Sequence, residues 1–256
     1  MIRHIIKISH IPSKRFYSIM STSKKTIASK EQTLSEFRNL IDQKMKSRPE
    51  KPIVWVDCEM TGLDVFGNDN IIEICCLITD GNLEIVDEEG YESTIYYPKS
   101  RLDQMNEWCI ETHGKSGLTA KVLANPDRKL DIVENELLEY IKKYIPKERD
   151  ALLAGNSIHM DRFFMMKEFP KVIEHLHYRN IDVSTIMEIG YRHNPDLMKW
   201  QPKKKGSHTA RSDILESIAQ LKWYREHYLK LKEETRDDIE KIANSMSLIG
   251  ISNENK

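Results

Sequence analysis

One short run constrains this chain more than any other: Ile53-Val54-Trp55-Val56-Asp57-Cys58-Glu59, which follows Pro52. Apolar, largely β-branched or aromatic residues fill both parities of its first half, so it reads as a strand buried on both faces. Yet the run ends in two acids placed two residues apart. Their side chains leave one face of a strand, and Cys58 leaves the other. Like charges on a buried strand repel, and burial penalises each of them. An edge position with Lys or Arg partners would relieve this; so would a hard divalent cation gripped by both carboxylates. The run supplies no cation of its own, which favours the second solution.

The rest of the chain says what surrounds that strand. The 256 residues, 39% hydrophobic, suffice for one core rather than two. Ile71–Thr79, closed by Asp80-Gly81-Asn82, reads as a second strand and Tyr91–Tyr97 as a third. Their short links predict antiparallel pairing. Ala151–Gly155 and His177–Val183 then read as strands alternating with helices at 129–145, 158–169, about 184–193 and 208–230. A three-strand meander followed by alternation predicts an α/β fold: a mixed five-stranded sheet flanked by helices. Residues 51–230 form that domain. Before it, residues 21–50 form a linker in which Leu34, Phe37, Leu40, Ile41 and Met45 predict a short amphipathic helix ahead of Pro49 and Pro52. After it, residues 231–256 are a charged tail with too few apolar positions to stay ordered.

Charge narrows the partners. Residues 1–30 hold seven Lys or Arg and no acid, leaving 32 basic against 40 acidic residues in the remainder, a body near −8. Proteins that spread over long nucleic acid present a basic face. A polyanion handled here must be short, or held by metal ions and a few cations. Lys203-Lys204-Lys205 reads either as such a steering patch or as a solvated loop. The acid-free start, MIRHIIKISHIPSKRFYSIM, has the composition of a transit peptide over residues 1–20, which predicts the mitochondrial matrix. Met20 offers an internal start for a cytosolic form. No run approaches the roughly 20 apolar residues of a bilayer-spanning helix, so no membrane partner is expected. Cys58, Cys75, Cys76 and Cys109 form no C-x-x-C pair and read as small buried residues.

Further candidates lie downstream. Asp161 sits where a strand hands over to a helix, as a site residue or as a solvated acid favoured by the helix dipole. His208 and Asp213 are five apart, about 140° around a helix. His208 therefore belongs to the preceding loop, over a site that Asp213 lines, unless it is an ordinary surface residue. The span Asp64 to Glu73 lacks the alternating ligands and central glycine of a calcium loop.

Four blocks occur in order: Trp55-Val56-Asp57-Cys58-Glu59-Met60-Thr61-Gly62-Leu63; Gly155-Asn156-Ser157-x-x-x-Asp161; His177-Tyr178-Arg179-x-Ile181-Asp182-Val183-Ser184-Thr185; and His208-x-x-x-x-Asp213. Together, from about Pro52 to Tyr228, they resemble the oligoribonuclease family, small-RNA 3′-to-5′ exonucleases of the DEDD superfamily, histidine subclass. The resemblance implies a ribonuclease H-like fold, a homodimer and two Mg²⁺ or Mn²⁺ ions per site. It makes Asp57, Glu59, Asp161 and Asp213 the metal ligands, with Asp57 shared by both ions. His208 becomes the general base, since an ordinary imidazole pKa of about 6.5 suits neutral pH. The substrate implied is short single-stranded RNA, from dinucleotides up, cut to nucleoside 5′-monophosphates. Leu63 would wedge against a base, Trp108 with His113 would line the pocket, and Ser157 would cap a phosphate oxygen. Tyr178 and Arg179 would complete the partner subunit's site. Taken alone, Trp108 also reads as a core aromatic. A proofreading or DNA-degrading exonuclease of the same superfamily is the alternative.

Overall fold

The computed structural model describes residues 49–203, 209–231 and 233–248. The leader, the amphipathic helix before Pro49, Lys204, Lys205 and His208 lie outside the described residues. Strand β1 (Ile53–Met60) is the centre of a five-stranded sheet of order β3-β2-β1-β4-β5. Beside it β2 (Ile71–Thr79) runs antiparallel, pairing Asp57 with Cys75 and Glu59 with Glu73. β3 (Tyr91–Thr94) is antiparallel to β2, while β4 (Leu152–Gly155) and β5 (Asn180–Asp182) extend the other side in parallel. The predicted mixed sheet is therefore present, in the predicted strand sequence.

Both faces of β1 are covered, as its unbroken apolar start requires. Val54, Val56 and Cys58 join a core with Leu137 of α4 (Leu130–Tyr144) and Phe164 of α5 (Ile158–Glu168). Trp55 joins Cys75, Leu77 and Ala154 beneath Ile214, Ile218 and Tyr224 of α9 (Ala210–His227). Trp55 is fully buried, and its indole N–H donates to Thr79 Oγ1 at 3.0 Å. A third, smaller cluster packs Ile72 against Leu102, Cys109, Leu118 and Val122. These come from α1 (Lys99–Leu102), α2 (Glu107–Lys115) and α3 (Leu118–Ala124). The remaining helices are α6 (Pro170–His175), α7 (Val183–His193), α8 (Pro195–Met198) and α10 (Arg236–Leu248).

Three boundaries differ from the sequence expectation, each for a local reason. β3 stops at Thr94 because the Tyr96 N–H turns aside to the Arg128 carbonyl at 2.8 Å. β5 starts only at Asn180 because the Arg179 N–H is taken by His177 Nδ1 at 3.0 Å. Within the expected charged tail, Arg236–Leu248 forms helix α10, which opens with Asp237 and Asp238 at its positive end, and Asp238 pairs with Lys230 at 2.8 Å. That charge is helix surface rather than a sign of disorder.

Gly155 sets how closely α5 approaches β1. A Cβ there would stand 3.0 Å from the Val56 carbonyl oxygen and 3.0 Å from Ile158 Cδ1. Backbone cannot yield cheaply, so Gly155→Ala is expected to cost about 1–3 kcal/mol, read as a lower urea midpoint at unchanged slope.

Candidate active site

The site gathers at the C-terminal end of β1. Glu59 lies on the α9 face, opposite Glu73 in the β1–β2 register. Burial, reinforced by the charges of Glu73, Asp213 and Asp161, pushes its carboxyl up to about 7. Those couplings place Asp213, in the first turn of α9, and Asp161, in α5, within electrostatic reach of Glu59. Asp57 precedes Glu59 by two on the same face, opposite Cys75.

Asp161 is buried, which removes the reading of a solvated first-turn acid. The chain reaches it through Ser157, held at φ 52° in the left-handed region, so that α5 starts directly over β1. There the Cys58 N–H donates to Asp161 Oδ1 at 2.9 Å. Burial outweighs that hydrogen bond and pushes the Asp161 carboxyl up to about 7. Burial, with Asp161 and Asp57 nearby, pushes the Cys58 thiol well up too, so without metal it remains neutral, on the face of β1 opposite Asp57 and Glu59.

The predicted substrate residues stand in different surroundings. Helix α2 starts at Asn106, whose side chain accepts from the Cys109 N–H at 2.9 Å. Within its first turn, Trp108 is 65% exposed, which excludes the core-aromatic reading. His113 is buried: Nε2–H donates to the Met60 carbonyl at 2.9 Å, and Nδ1 lies 3.9 Å from Glu59 Oε2. Leu63 is exposed on the loop after β1. Ser157 N–H is shared between Asp182 Oδ1 at 3.0 Å and Ser184 Oγ at 2.9 Å, at the edge of a cavity of about 500 Å³ that His159, Thr185 and Arg192 also line. Tyr178 is exposed, stacked on His177 with 4.5 Å between ring centres, and the Arg179 guanidinium lies 5.5 Å from its ring centre.

Residues that sequence reading passed over hold this frame. The loop from Thr61 to Asn70 is closed by Asp69, which accepts from the Thr61 hydroxyl and the Asp64 N–H, both at 2.9 Å. Burial alone would raise the Asp69 carboxyl; these bonds and Arg101 instead hold it below the usual range. Glu168 of α5 clamps the other end, accepting from Asn70 Nδ2 at 2.8 Å and the Ile71 N–H at 3.0 Å. The signal for Asp69 was its place seven residues after Gly62 in a turn-rich loop; for Glu168 there was none.

The donor set suits a hard cation. All candidate ligands are carboxylate oxygens, and two of them are held near half-protonation at neutral pH by burial, with like charge adding to the strain at Glu59. Among the described residues, no three His, Cys, Asp or Glu side chains already close into a metal cage.

Comparison with known proteins then decides the family. A family model described as exonuclease matches residues 54–221. The mitochondrial oligoribonuclease of Saccharomyces cerevisiae is 58% identical over 205 residues, covering 78% of this chain and 75% of that protein. The chain belongs to the oligoribonuclease family. A probable oligoribonuclease of Schizosaccharomyces pombe is 50% identical, covering 77% and 76%, and the human mitochondrial oligoribonuclease is 44% identical, covering 77% and 82%. Among solved structures, exonuclease I of Methylocaldum szegediense aligns with a TM-score of 0.52 at 14% identity, covering 69% of this chain and 41% of that one. Exonuclease I of E. coli with a dA16 oligonucleotide aligns at 0.53 and 12%, covering 78% and 45%. The chain thus spans less than half of each, and the likeness is one of fold: this oligoribonuclease has the ribonuclease H-like sheet of those exonucleases. Exonucleases of this type generally work with divalent metal ions. No helix among the described residues is long and apolar enough to cross a membrane.

Proposed function

We propose that this oligoribonuclease, a 3′-to-5′ exoribonuclease of short RNA, holds two Mg²⁺ or Mn²⁺ ions on Asp57, Glu59, Asp161 and Asp213. The observation that carries this reading is the half-buried Glu59 and the buried Asp161 at the end of one strand, both carboxyls raised to about 7. A fold that only needed a filled core would place apolar groups there. Bound there, the ions would screen the acids and stabilise the charge that builds on the attacking and departing oxygens.

The chain's own residues do the rest. His208 accepts the proton of the attacking water. Water oxygen bonds to phosphorus, the bond from phosphorus to the 3′ oxygen breaks, and that oxygen takes a proton from solvent to become the 3′ hydroxyl of the shortened strand. The product is a nucleoside 5′-monophosphate. Few phosphates are available on so short a substrate, so stacking at about 1–3 kcal/mol per base supplies much of the affinity. The exposed Leu63 and Trp108 offer apolar surface for that, with His113 behind them. Ser157 caps a phosphate oxygen, and Tyr178 and Arg179 reach the site of a second subunit in a homodimer. Residues 51–230 act as the exonuclease domain. Residues 1–20 direct the chain to mitochondria, as the names of its yeast and human relatives suggest, with Met20 starting a cytosolic form.

The test is hydrolysis of end-labelled RNA of two to twenty nucleotides with Mg²⁺, Mn²⁺ or EDTA, alongside DNA of equal length. Release of 5′-monophosphates from RNA, fastest on the shortest substrates and lost in EDTA, is expected. Faster turnover of DNA or of long strands overturns the substrate assignment; turnover in EDTA overturns the metal assignment.

A further inference from the structure

The acidic face of the sheet does not end at β1. Register pairs Glu59 with Glu73, and links Asp57 through Cys75 to Glu92, so acids of three adjacent strands leave one face. Glu73 is buried, directly across from Glu59. A divalent ion approaching β1 would therefore find a third carboxylate, from β2, beside the two it needs. Lys121 intervenes. Helix α3 sets its ammonium 2.7 Å from Glu73 Oε1 and 2.6 Å from Glu92 Oε1. Its stem is half exposed, so the chain spends a solvent-side cation on a buried acid.

We propose that Lys121 is a positioning residue for the metal site: it engages Glu73 and Glu92, keeps them turned from β1, and leaves Asp57 and Glu59 as the carboxylates that meet the ions. The arrangement divides one acidic surface into a half neutralised by the protein and a half reserved for metal. Arg211, the other cation lining the small cavity of about 130 Å³ beside Glu73, is occupied elsewhere, donating to the Glu89 carbonyl at 2.6 Å and to that of Glu88. Without Lys121, Glu73 becomes a buried charge opposite Glu59, able to compete for the ion or to repel its ligands. This inference rests on the two-metal reading above.

Mn²⁺ binding to the full chain, measured by titration calorimetry without RNA, tests it. Lys121→Met is expected to weaken binding about tenfold. Adding Glu73→Gln removes the charge Lys121 had balanced, and the double variant should return to within about threefold of the parent. Lys121→Arg should bind as the parent does. Unchanged binding in Lys121→Met, or a loss that Glu73→Gln does not recover, overturns the proposal, since a merely structural lysine gains nothing from a second lesion. A parent chain that binds no Mn²⁺ overturns the two-metal reading instead.

Discussion

Asp161→Asn is expected to lower hydrolysis of a dinucleotide roughly a thousandfold or more while leaving the metal-free protein folded. The substitution changes little except charge. Asparagine has nearly the same shape, and its Oδ1 still accepts from the Cys58 N–H that now stands 2.9 Å from Asp161. What disappears is a carboxylate that the surroundings already resist ionising. Without metal the variant should therefore melt at or above the parent temperature near pH 8, because a buried charge has been removed and the Cys58 N–H bond kept. Asp57→Ala and Asp213→Ala should abolish hydrolysis as well. Activity and stability move in opposite directions only if Asp161 serves chemistry at the expense of the fold. Turnover within tenfold of the parent at saturating Mn²⁺ defeats the assignment; so does a variant that unfolds.

The sheet was legible because its strands carry unmistakable chemistry. Ile71–Thr79 holds one polar residue in its interior, Glu73, and is buried along its whole length. The two acids of β1 were legible for the converse reason: their cost on such a strand demands an explanation. Short helices were not. α1 and α3 span four and seven residues, too short for periodicity to register, and α2 depends on a cap at Asn106. Their absence from the sequence reading hid Lys121, because a lysine's meaning depends on which helix delivers it and to which acid.

Resemblance named the substrate residues, but burial distinguished their situations. Trp108 and His113 belong to one sequence element, yet the first stands in solvent and the second is sealed against Glu59 and Met60. A helix face rotates by about 500° over five residues, so the two side chains diverge, one into solvent and one toward β1. The loop from Thr61 to Asn70 was legible as a turn-rich segment; its closure by Asp69, Arg101 and Glu168 needs side chains from three elements and could not be read from spacing.

Without divalent ions, the protein should lose stability as pH rises from about 4.5 to about 7. The sign follows from proton counting. An unfolded Glu or Asp releases its proton near pH 4, whereas folded Glu59 and Asp161 hold theirs until about 7. Between those limits the folded state binds more protons, so each step upward favours unfolding, and the trend levels off above both folded values. Displacements of this size amount to a few kcal/mol at each group. Calorimetric melting in EDTA should show a melting temperature that falls from pH 5 to pH 8. Millimolar Mn²⁺ should restore it at pH 8 and do far less at pH 5, because ions bind the ionised carboxylates and protons compete for them. Asp161→Asn removes one of the two groups, and its pH slope should be correspondingly shallower. A metal-free melting temperature that climbs through this window, or an Mn²⁺ effect equal at both pH values, would mean that Glu59 and Asp161 are not the strained pair described here, and the ions would need other ligands.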